Sequence, residues 1–114
     1  MEAMTPRQNK VARLIQKELA GMMQSYARDH FHGTLISVSV VRVSPDLSLA
    51  KCYFSIFPVD KTKTIMENLD QHNKEVRFQL GNRIRNQVRI IPELAFFVDD
   101  SQEYLQNIEN LLKK

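Results

Sequence analysis

The sequence predicts an α+β fold: one three-stranded sheet with helices packed on one of its faces. Three observations predict it. Apolar residues recur at helical spacing over 11–26, two β-branched runs flank a Ser-Pro-Asp turn at 44–46, and a long interrupted helical stripe leads into an apolar run holding Pro92. A chain of 114 residues is long enough to bury a core without metal or disulfide staples. With no repeat, low-complexity tract or long linker, residues 1–114 are expected to form a single domain.

Thr5-Pro6-Arg7-Gln8 starts a helix by mechanism, because threonine caps, proline suits the first turn and Gln8 can close a capping box. Val11, Leu14, Ile15, Leu19, Met22, Met23 and Tyr26 make its apolar stripe, with Lys10, Arg13 and Lys17 on the opposite face. The helix should fade across 28–33, where Gly33 permits a turn. Leu35 to Val43 reads as a strand whose apolar phase shifts between Val40 and Val41, the sign of a bulge or of burial on both faces. After the turn, Ala50, Cys52, Phe54 and Ile56 alternate with Lys51, Tyr53 and Ser55, so one face is core and the other wetter.

Thr64 to Glu67 reads as a second capping box, opening a helical segment with the stripe Ile65, Leu69, Val76, Leu80 and Ile84. Polar His72-Asn73 interrupt that stripe, which predicts a kink or break. A strand is expected over Val88 to Val98, with Pro92 at an edge, at a bulge or at the strand's own start, because proline cannot donate to a ladder. Asp99-Asp100-Ser101 then caps a last helix with the stripe Tyr104, Leu105, Ile108, Leu111 and Leu112. Both long helical stripes are expected on the same apolar face of the sheet.

Composition excludes several classes. The 43% hydrophobic and 25% charged fractions are those of an ordinary soluble globular protein, and no apolar run is long enough to cross a bilayer. Cys52 is the only cysteine, so no internal disulfide can form, and with no signal-like N-terminus a reducing cytoplasm is expected. The net charge of +3 is less telling than its distribution. Residues 5–28 and 74–89 each carry a balance of +4, whereas 93–112 carry −5. Two basic segments against one acidic end point to one face for a polyanion and another turned away from it.

The order α-β-β-α-(kink)-α-β-α is the type II K-homology arrangement, whose members bind single-stranded nucleic acid, usually through a Gly-x-x-Gly loop. With glycines only at 21, 33 and 81, that loop cannot exist here. Three blocks in the right order resemble another group. Arg89-Ile90-Ile91-Pro92-Glu93-Leu94 with Phe96-Phe97 and an acid, Val43 to Tyr53 with its Ala-Lys-x-Tyr pattern, and the opening Arg7 to Leu19 are together similar to the ribosome-binding factor A family of bacterial small-subunit assembly factors. That family replaces the loop by a helix-kink-helix commonly marked Ala-x-Gly, where this chain has Gln71-His72-Asn73-Lys74-Glu75. The resemblance implies a non-catalytic, monomeric factor that binds the free or immature 30S subunit and its 16S rRNA and assists late maturation and rRNA processing.

The candidate RNA-binding residues are Arg7, Lys10, Arg13, Lys17, Lys51, Arg77, Arg83, Arg85 and Arg89. A charged helix face is often merely solvated, but two basic segments rich in arginine favour bidentate phosphate contacts. No enzyme, metal or cofactor is expected. His30 and His32 lack further ligands beyond His72, and Glu93, Asp99 and Asp100, readable as acids of a magnesium nuclease, are more simply helix-capping and surface groups. Cys52 alternates with core residues and reads as a buried small hydrophobe. The alternative is a protein-interaction module using the edge strand.

Overall fold

Thr5 caps the first helix reciprocally: its Oγ1 accepts from the Gln8 N–H at 3.2 Å, while Gln8 Oε1 accepts from the Thr5 N–H at 2.8 Å. The structure, a computed structural model, describes residues 3–99, and the anticipated C-terminal helix lies outside the described residues. Helix α1 runs Pro6–His30, followed by strands β1 (Leu35–Val43) and β2 (Leu49–Phe57), helices α2 (Thr62–Gln71) and α3 (Asn73–Ile84), and strand β3 (Glu93–Val98). The strand order is β1-β2-β3, with β1–β2 antiparallel and β2–β3 parallel. The helix pair between β2 and β3 is the crossover that a parallel pair requires.

One sheet face makes the core. Ile36, Val38, Val41 and Val43 of β1, Ala50, Cys52, Phe54 and Ile56 of β2, and Leu94 and Phe96 of β3 are buried together. Ile15, Leu19 and Met23 of α1, Ile65 and Leu69 of α2, and Val76, Leu80 and Ile84 of α3 join the same cluster, so the expected one-sided packing is found. Phe54 and Phe96 meet edge-on with centroids 5.3 Å apart, tying the centre strand to β3.

The phase shift read in β1 is a bulge, placed at Ser39 where the register slips between Val38 and Val40. Its carbonyls are recruited by α1: Gln16 Nε2 donates to the oxygens of Val38 and Ser39, each at 3.2 Å. Gln8, the one buried polar residue among those described, donates to Val43 O at 2.7 Å. Two glutamines about two turns apart thus pin α1 along β1. At the end of α1, Gly33 adopts φ +80, a region costly for residues with a Cβ.

Two boundaries differ from expectation. The box at Thr64–Glu67 does not cap a helix: a 3-10 turn over Val59–Lys61 follows Pro58, and α2 already begins at Thr62. Pro58, with φ −67, sets the first turn earlier than the polar signal does. Strand β3 starts at Glu93, not Val88, because 85–91 forms turns and bends behind α3 and Pro92 has no N–H for the ladder. Pro92 is fully buried at the strand's start, and the Glu93 N–H opens the pairing by donating to Ser48 O at 2.8 Å.

The predicted break occurs at His72, which closes α2 and precedes α3. The polar residues there are occupied: His72 Nδ1 lies 2.8 Å from Asn68 O, and Asn73 Nδ2 donates to Leu94 O at 2.9 Å. The polar pair that interrupts the apolar stripe therefore ties the kink to β3 through Asn73.

Candidate nucleic-acid interface

The hairpin turn forms one wall of the site. Asp46 Oδ1 accepts from Ser44 Oγ at 2.7 Å, from Ser48 Oγ at 2.8 Å and from the Ser48 N–H at 3.1 Å. The Ser44 hydroxyl foremost, then Ser48, hold this carboxyl below the usual aspartate range. The bonded turn fixes Leu47 at φ 62, where its side chain packs on the core edge. A non-glycine residue at such an angle persists only when its surroundings hold it.

Beside Leu47, the start of α1 and the 87–90 segment enclose a cleft of about 530 Å³. Arg7, Lys10 and Arg89 stand around it, with Val11, Leu14, Val88 and Ile90 supplying apolar wall and Asp46 the one acid among the described residues. Residues from the two basic segments, far apart in sequence, are thus brought to one place. Arg13 and Lys17 continue along the exposed side of α1.

The remaining candidates separate. At 100° per residue, Arg83 and Arg85 point about 200° apart around the α3 axis. Arg83 turns to α1, where its Nη1 lies 3.5 Å from Glu18 Oε2. Near that pair a second hollow holds Tyr26, whose hydroxyl is raised above its ordinary range first by burial and then by Glu75. Arg85 instead shares the outer flank of α3 with Lys74, Arg77, Phe78 and Asn82. Arg77 is half-buried and its guanidinium is held by backbone, Nη2 donating to Ile91 O at 2.7 Å and Nε to Pro92 O at 3.0 Å. Lys51 is exposed on the sheet face opposite the core, level with Arg42 of β1 and Ala95 of β3.

Sequence reasoning missed Leu47 and Phe78. No residue signal marked the left-handed angle of Leu47, whereas the wheel of α3 does place Phe78 off its apolar stripe. Among the described residues no group of three His, Cys, Asp or Glu side chains could hold a metal ion, and no helix is long and apolar enough to cross a membrane.

Known proteins share both sequence and fold. The ribosome-binding factor A family signature matches residues 7–112. The ribosome-binding factor A of Cytophaga hutchinsonii is 47% identical over 95% of this chain and 81% of its own, and that of Christiangramia forsetii is 42% identical over 96% and 84%. The fold is similar to the crystal structure of ribosome-binding factor A from Thermus thermophilus, with a TM-score of 0.66 and 21% identity, covering 80% of this chain and 94% of that one. It is also similar to a Thermus thermophilus ribosome-binding factor A model fitted into a cryo-EM map of a 30S complex, with a TM-score of 0.60 and 23% identity, covering 76% and 89%. The α+β, K-homology-like arrangement read from the element order is therefore the observed one, and with the sequence matches spanning nearly its whole length, the chain belongs to the ribosome-binding factor A family.

Proposed function

We propose that this protein binds the free or immature 30S ribosomal subunit through its 16S rRNA and assists late maturation and rRNA processing, in the cytoplasm, without a catalytic step. One observation carries the RNA reading: Arg7, Lys10 and Arg89 converge on a single cleft where, among the described residues, Asp46 is the one acid, and that acid is already bonded to Ser44 and Ser48. The subunit assignment is supported by the family and by a structural neighbour fitted into a 30S complex. The working surface is Arg7, Lys10, Arg13, Lys17, Arg85 and Arg89. Arg77 braces the backbone, Arg83 is turned to Glu18, and Lys51 lies on the other side of the sheet.

The mechanism is stoichiometric: a monomeric factor neutralises phosphates and holds one rRNA conformation during assembly. With about five phosphates neutralised, log affinity falls with log salt at a slope of roughly −3.5 to −4.5. The deciding experiment is sedimentation of cell lysate. The protein should travel with free small subunits and leave them as salt rises. Comigration with translating ribosomes alone, or binding to subunits unmoved by salt and ribonuclease, would overturn the reading.

A further inference from the structure

Phe78 is the most exposed large hydrophobic side chain among the described residues, at 69% of its full accessibility. It sits in the middle of α3, where its ring contributes nothing to the core. An isolated exposed apolar residue needs no explanation, but the surroundings of this one are particular. It lies in a shallow, open hollow of about 550 Å³ with Lys74 one turn before it, Arg85 two turns after it, and Asn82 and Ile91 alongside. Among the described residues no acid lines that hollow.

The floor is rigid. Arg77, next to Phe78 in sequence, clamps α3 to the carbonyls of Ile91 and Pro92. Gly81 lets Ile91 approach closely, since a Cβ there would come within 3.3 Å of the Ile91 side chain. An exposed aromatic ring between two cations, with an amide lining the same hollow, matches an unpaired nucleobase joined to its phosphates. A duplex hides the faces of its bases, so the occupant is single-stranded. Adjacent residues Ile90 and Ile91 line the cleft of Arg7 and Arg89 and this hollow respectively, so one strand can pass from one to the other around the 85–91 segment.

We infer that Phe78 is a stacking platform for an unpaired RNA base, with Lys74 and Arg85 holding the flanking phosphates. The inference rests on the RNA-binding reading above and adds to it the single-stranded character of the target. The chain contains no tryptophan, so Phe78→Trp places a unique reporter at the site. The test titrates the full chain with single-stranded hexa-adenylate and with a duplex of equal length, for wild type, Phe78→Ala, Phe78→Trp and an Arg7→Gln/Arg89→Gln variant. Because the ring is exposed, the melting temperature of Phe78→Ala should match wild type, which excludes unfolding as the cause of any loss.

The expected result is a loss of about 5- to 150-fold in single-strand affinity for Phe78→Ala, with duplex affinity unchanged. In Phe78→Trp the affinity is retained and the indole emission is quenched on binding. Equal single-strand affinity of wild type and Phe78→Ala, or unquenched emission at saturation, overturns the inference. If the Arg7→Gln/Arg89→Gln variant still loses binding in that case, the RNA reading survives and only the stacking role falls. If Phe78→Ala weakens binding to the subunit but not to the oligonucleotide, with no quenching, the ring contacts a ribosomal protein and the inference is wrong.

Discussion

Arg77 reaches out of α3 to donate its Nη2–H to the carbonyl of Ile91 at 2.7 Å, and its Nε–H to Pro92 O at 3.0 Å. A residue whose charge suggests a ligand contact is thus holding the irregular 85–91 segment against the helix that precedes it. Replacing Arg77 by methionine keeps much of the aliphatic stem but leaves two carbonyls without this partner. Charge-assisted bonds of this kind contribute about 1.5–3 kcal/mol each, discounted here for partial exposure, so the loss should be about 2 kcal/mol. Thermal unfolding should report a drop of roughly 6–8 °C for a domain of this size. A melting temperature within a degree or two of wild type would show that the clamp is unimportant.

The cleft makes a prediction about charge that separates neighbouring arginines. Arg7→Gln or Arg89→Gln should each weaken binding to small subunits and reduce the magnitude of the salt slope by about 0.7–0.9. Arg83→Gln, losing its contact with Glu18, and Lys51→Gln, on the far side of the sheet, should leave that slope unchanged. The opposite pattern would place the RNA on another face.

Burial pushes the Cys52 thiol up to about 12 from an ordinary 9.0. The folded state therefore prefers the neutral thiol, and the associated stability is present below about pH 9 and lost as pH rises through 12. Iodoacetamide at pH 8 should leave the native protein unmodified over times that label the urea-unfolded chain completely. Labelling of native protein at the rate of a free thiol would contradict the burial.

Asp46 behaves in the reverse sense. Hydrogen bonds from Ser44 and then Ser48 depress its carboxyl below the ordinary 3.8, so its contribution to the turn is present above that value and lost as pH falls through the lowered one. The Ser48 amide proton resonance, bonded to Asp46 Oδ1, should follow this acid titration, and in Asp46→Asn it should not. A Ser48 resonance indifferent to pH in the wild type would rule out the bond.

The Tyr26 hydroxyl is buried with no hydrogen-bond partner among the described residues, while its ring packs near His30 and Phe31 at centroid distances of 4.9 and 5.7 Å. Removing an unsatisfied hydroxyl while keeping the ring should be stabilising. Tyr26→Phe should raise stability by about 1 kcal/mol in urea unfolding. A loss of similar size would mean that a bound water satisfies the oxygen.

Among the described residues, the sequence by itself determined the elements, their order and their buried faces. Helical and alternating periods are properties of short windows, which is why the α1 stripe, the Ala50-Cys52-Phe54-Ile56 face and the interruption at His72-Asn73 were all legible. Long-range geometry decided the rest. Pro58 started α2 earlier than Thr64, and Pro92 confined β3 to 93–98, since the chain's path out of β2 and into the parallel pairing overrides local capping signals. The basic segments were visible as charge, but charge has no direction in a sequence. Packing of α3 against α1 and the 85–91 segment turned Arg83 toward Glu18, committed Arg77 to backbone carbonyls, and left Phe78 facing outward between Lys74 and Arg85. Arg7 and Arg89 meet because α1 and the segment before β3 converge beside the hairpin turn, a proximity fixed by burying one shared core and written in no local stretch of residues.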